Sequence, residues 1–213
     1  MDPLTLILII IIFLFSVVAH EVAHGTMANF LGDPTDKYAG RLTLNPLKHL
    51  DFFGSIAVPG IIILTSMAVG GGIIFGWAKP VPINPYNFKD QKYGSAKTAV
   101  AGPAANIFIA LVFGLLIRFL PFGTGLFAEN LIFVFGFIDW INLLLAVFNL
   151  LPIPPLDGSH ILFTFLPQSM DNLKTFLTQY GLFVLLFVIF FLLHWIIPMI
   201  NYLFTLIVGI PFF

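Results

Sequence analysis

The chain contains no cysteine. Disulfides, thiolate metal sites and a cysteine nucleophile are therefore excluded, and any metal must be held by His, Asp or Glu. Charge is scarce too: Asp, Glu, Lys and Arg supply 9% of the 213 residues, where a soluble domain carries about 25%. The net charge of -1 says nothing about partners, and no basic tract or aromatic-basic ladder points to nucleic acid. The opening "MDPLTL" lacks a basic n-region, so the first apolar run is not expected to be a cleaved signal. Internal repeats and low-complexity linkers are missing, and no loop is long enough for a separate soluble domain. What remains is apolar: 59% hydrophobic residues with 26 Phe, at a mean hydropathy of +1.04. This composition predicts a polytopic membrane protein.

Charge-free gaps set the expected segments. The first runs from about Leu4 to Leu31, the third from Lys97 to Arg118 and the fourth from about Asn130 to Leu151. The second gap, between Asp51 and Lys79, holds Pro59 and Gly70-Gly71-Gly72. After Thr175 the only ionisable side chain apart from tyrosine is His194, and Pro198 follows it, so two further crossings are expected at about 177–193 and 195–210. The loops after the first and second segments carry Lys37, Arg41, Lys48, Lys79, Lys89, Lys92 and Lys97. Basic loops favour the cytoplasm.

"HEVAHG", His20 to Gly25, places two imidazoles at i and i+4 on one helix face. Both can reach one Zn²⁺, and the intervening Glu21 can act on the water it activates. Two packed histidines are the bland alternative, but two His and a Glu are costly at lipid depth. Catalytic zinc takes three protein ligands. The candidates for the third are Glu129, Asp139, Asp157, His160 and His194. Asp157 is favoured because "NLLPIPPLDGSH" carries Pro152, Pro154 and Pro155, which cannot continue a helix. Irregular backbone at membrane depth belongs beside a wet interior site. A solvent turn at a helix end is the competing reading of "PPLDG".

With "HEVAHG", "GRLTLNPL", "FGWAKPVPIN", "AGPAAN" and "NLLPIPPLDG" in view, the chain resembles the site-2 protease family of zinc-dependent intramembrane metalloproteases. It is similar to the short prokaryotic form without PDZ or CBS domains. The resemblance implies one zinc per chain, bound by His20, His24 and Asp157, with Glu21 as general base. It implies membrane-anchored protein substrates with transmembrane helices, and a multi-pass protein of the cell (inner) membrane. Asn149, in the proline motif, is expected to hold the substrate backbone or the turn, and Pro152 to lie on the substrate path. Asn106 is expected to bond to a neighbouring helix or to substrate. A transporter of similar composition would use broken helices and intramembrane acids too, but the chain has no repeated half. An inactive scaffold would have no need of Glu21.

The three ligands must meet at one depth. His20 lies about 24 Å along a helix that starts at Leu4, and Asp157 lies beyond the end of the fourth segment. Segments one and four must therefore run in the same direction, with one net crossing between them. The second segment is then expected to re-enter, about 54–68 as a helix and "GGGIIFGWAKPVPIN" as extended chain. The expected fold is all-α: about five full transmembrane helices plus one re-entrant helix and short extended segments near the active site. It forms a single protease domain over 1–213, with a core of 1–167 and C-terminal helices at 168–213. The active site faces the cytoplasm. Asp139, Asn142 and Asn149 share one face of segment four, where interhelical hydrogen bonding is the expected role of the first two. His49, His160 and His194 are expected to be interfacial.

Overall fold

Pro3 opens the first helix, where its missing N–H costs nothing. A computed structural model of the protein describes residues 3–49 and 82–211. Helix α1 covers Pro3–Leu31, α2 Thr35–Tyr38, α3 Gly94–Phe119, α4 Leu126–Asn149, α5 Asp157–Phe165 and α6 Asp171–Val208. Among the described residues, four helices are long and apolar enough to cross a membrane: α1, α3, α4 and the helical stretch Gln168–Phe191, most of which belongs to α6. The described residues contain no strand. The re-entrant helix and most of the extended chain expected after it lie outside the described residues.

Hydrogen bonds fix the directions of the helices. Asn142 of α4 donates to Ser16 Oγ of α1 at 2.9 Å, and further along both chains Asp157 reaches His24 at 3.1 Å. So α1 and α4 are parallel. Helix α3 lies between them in the opposite sense, with Asn106 beside Ser16 and the Thr98 carbonyl beside His24. One described crossing therefore separates α1 from α4. The two loops that flank the undescribed stretch sit side by side. Asp33 accepts from the Asn84 N–H at 2.6 Å and from Asn87 Nδ2 at 2.8 Å, and Lys89 N–H donates to Leu31 O at 2.9 Å.

The C-terminal region differs from expectation. A break near His194–Pro198 does not occur, and α6 continues through Pro198 for 38 residues. At about 1.5 Å per residue it is about 57 Å long. Proline removes one backbone hydrogen bond, but a full break would strip partners from several groups where no water replaces them. Ile196, Ile200, Phe204 and Val208 recur every four residues and form one buried stripe. They pack with Ala110 and Ile117 of α3 and Leu143 of α4 to make the hydrophobic core. This stripe holds the helix phase across the proline. Arg118 ends the arrangement by donating to the carbonyls of Leu206 and Ile207, and Gly209 closes α6 at φ 89°.

Candidate metal centre

His20 and His24 lie one turn apart on the buried face of α1, each 6% exposed. Asp157 is the first residue of α5, just past the proline turn. Its Oδ2 is 3.1 Å from both His20 Nε2 and His24 Nε2, which are 3.0 Å from each other. Residues 133 and more positions apart in sequence thus meet in a nearly equilateral triangle. Four ligands at about 2.0–2.1 Å around a tetrahedral ion sit about 3.3–3.4 Å apart, so the triangle is close to one face of such a site.

The second nitrogen of each imidazole leaves the pair suited to hold a metal. His24 Nδ1 is 2.7 Å from the Thr98 carbonyl, and His20 Nδ1 is 2.6 Å from Asn106 Oδ1. Both partners only accept, so both Nδ1 atoms carry the proton and both Nε2 atoms present lone pairs. Two lone pairs and a carboxylate oxygen then converge with no proton among them. Such a set repels itself and is relieved by a cation. The N,N,O donor set without sulfur suits zinc, and outer partners of this kind orient metal-binding histidines.

Two glycines make room. A Cβ on Gly102 would stand 2.6 Å from His20 Nε2 and would also strike His24 Nε2. The nearest neighbours of Gly102 are thus the two histidines of the centre. A Cβ on Gly158 would run into the carbonyls of Leu150 and Leu151, so glycine lets the proline turn fold under Asp157.

Of the other candidates for the third ligand, none joins the triangle. Glu129, His160 and His194 are exposed. Asp139 is fully buried, packed against Gly114 of α3, and neither of its oxygens has a hydrogen-bond partner among the described residues. Asn142 does make the expected interhelical bonds, to Ser16 and Asn106. His49 is buried, with Nε2 on the Thr43 carbonyl at 2.9 Å. Glu21 is half-buried on α1 between the two histidines in sequence. Asn149 is half-buried and donates to Leu145 O at 2.9 Å, whereas Pro152 is exposed. Asn106 is fully buried, and its amide is spent on His20, Asn142 and Ser16.

The sequence profile of peptidase family M50 matches residues 124–192. Three curated relatives each bear the name "Putative zinc metalloprotease". YwhC of Bacillus subtilis is 38% identical over 189 residues, which span 86% of this chain and 81% of YwhC. The chain belongs to peptidase family M50. Rip2 of Mycolicibacterium smegmatis is 34% identical over 71% of this chain and 54% of its own length. MJ0611 of Methanocaldococcus jannaschii is 39% identical over 42% of this chain and 46% of its own. No solved structure matches the chain. As an M50 member it is a zinc metalloprotease, and its helices are those of a multi-pass membrane protein.

Proposed function

We propose that the protein hydrolyses peptide bonds within or near the transmembrane segments of membrane-anchored proteins. The observation that carries this reading is the acceptor triangle of His20, His24 and Asp157, formed on a helix of membrane-spanning length. His20 stands 17 residues into α1, about 25 Å from Pro3 by helical rise, and 11 residues short of Leu31. That depth is within the membrane but towards one face, where water can reach it.

His20, His24 and Asp157 would hold one zinc per chain, with the whole of 1–213 acting as one protease domain. Bound there, zinc would supply Lewis-acid chemistry that polarises a carbonyl and lowers the pKa of water towards ~7. Glu21 receives the proton of the attacking water and returns it to the leaving amine. Thr98 and Asn106 keep both imidazoles in the tautomer that offers Nε2. A helical substrate hides its carbonyls in hydrogen bonds, so the segment to be cut must unwind locally. Asn149 and Pro152, at the start of the proline turn that leads to Asp157, would meet the unwound backbone. The basic loops at the His20 end put the centre towards the cytoplasm.

The test is cleavage of single-span membrane proteins by purified protein, with the cut positions read by mass spectrometry. Wild type should cut inside or at the edge of the apolar span, and Glu21→Gln should keep its zinc and lose cleavage. Cuts confined to soluble domains, or equal cleavage by Glu21→Gln, would defeat the proposal.

A further inference from the structure

An amide side chain can be turned end for end, and the turn matters here. Asn106 meets His20 Nδ1 at 2.6 Å. With its oxygen forward it takes the Nδ1 proton and leaves Nε2 as a lone pair. With its NH₂ forward it would donate to Nδ1, move the ring proton to Nε2 and remove His20 from metal binding. The other end of Asn106 decides between the two. Nδ2 is 2.7 Å from Asn142 Oδ1 and 3.3 Å from the Ser16 carbonyl. Asn142 is itself oriented: its Nδ2 donates to the Ile138 carbonyl at 2.8 Å and to Ser16 Oγ at 2.9 Å, which leaves Oδ1 towards Asn106. The chain of choices therefore ends on two backbone carbonyls, of Ser16 and Ile138, and a carbonyl cannot turn round. Asn106, Asn142 and His20 are all buried, so no water competes for the bonds.

We infer that Asn142 and Asn106 are positioning residues for the metal centre: a relay from α4 through α3 to α1 that sets the tautomer of His20. Asn142 bonds to Asn106, Ser16 and Ile138 and to none of the three proposed ligands, yet it selects which His20 nitrogen is free. The relay also makes metal affinity depend on the packing of three helices, because each helix supplies at least one polar group to it. The inference rests on the zinc reading of the centre, and its tests separate the two.

The first test is zinc affinity of the full-length protein in detergent micelles, by competition with a chelator. Asn142→Leu removes the acceptor that holds Asn106 and should weaken zinc about 10–100-fold. In a His20→Ala background the same substitution should change affinity little, since the relay then has nothing to orient. An unchanged affinity in Asn142→Leu, or an equal loss in both backgrounds, would overturn the inference. Wild type that binds no zinc would instead sink the zinc reading.

The second test needs no metal. ¹⁵N NMR of the imidazoles in metal-free protein should show His20 protonated at Nδ1 in wild type and a mixed or Nε2-protonated ring in Asn142→Leu. A wild-type ring protonated at Nε2 would overturn the inference whatever the zinc result. Should Asn142→Leu fail to fold, Asn106 serves: Asn106→Asp keeps an acceptor whichever way it turns and should bind zinc closer to wild type than Asn106→Leu. Equal affinities for these two variants would count against the relay.

Discussion

Gly102 shows how little space the centre allows. A single methyl there would overlap Nε2 of both His20 and His24, and α3 is locked to α1 by bonds on either side, at Thr98 and Asn106. Gly102→Ala should therefore lose zinc binding while keeping its helical circular dichroism. Alanine is the better helix former by about 1 kcal/mol, so a loss of metal without a loss of helix would locate the effect in the centre. His20, Glu21 and His24 were legible in the sequence because their spacing is itself the chemistry. Asp157 was the favoured member of five by residue chemistry and was singled out by the family resemblance, while its approach to the histidines across 133 positions is set by packing rather than by a local pattern. Asn106 was visible as a polar residue in an apolar helix, but nothing local distinguishes a group facing substrate from one facing a histidine. Gly102 carried one faint signal, a glycine four residues before Asn106 in a run of alanines.

At the scale of elements, two joints hold the surroundings of the centre together. The first is the clasp at Asp33. Its buried carboxylate accepts from Thr35, Asn84 and Asn87, with the Thr35 hydroxyl as a further donor. Burial raises its pKa, but the bonds from Thr35, Asn87 and Asn84 outweigh it and hold the group below its ordinary value of 3.8. The clasp is thus fully effective above that value, and its contribution is lost as pH falls through the lower folded value. Asp33→Ala should cost about 2–3 kcal/mol, since several donors are left unpaired. Melting curves should show wild type approaching the variant at acid pH. A gap that stays constant to low pH would contradict the charged clasp. The second joint is Gly181 of α6, where a Cβ would stand 2.7 Å from the Pro154 carbonyl and 2.8 Å from Pro154 Cβ. Gly181→Val should displace the proline turn and weaken zinc binding, read as a shift in chelator competition. The continuity of α6 was not legible, because Pro198 is a local breaker and the stripe that overrides it is a tertiary contact.

At the scale of the molecule, the parallel course of α1 and α4 was deduced from depth alone, and the fold has it. It follows because ligands on two segments can share one point only if both reach it from compatible directions. The number of crossings was less accessible, since apolar length bounds how many helices can form but not how a long one continues. The flanking loops now make a topological prediction. Single cysteines placed at Lys37 and Lys92, in an otherwise cysteine-free chain, should both be labelled from the cytoplasmic face of sealed vesicles. Labelling from opposite faces would contradict both the clasp and the orientation.

The central claim is that one zinc sits among His20, His24 and Asp157 and is used by Glu21. It is met most directly by measuring bound zinc and cleavage on the same purified samples of wild type, His20→Ala, His24→Ala, Asp157→Ala and Glu21→Gln. One zinc per chain in wild type, a sharply weakened but measurable affinity in each ligand variant, and zinc retained without cleavage in Glu21→Gln are the predicted results. Zinc held at wild-type affinity by Asp157→Ala, or cleavage by protein stripped of metal, would contradict the account.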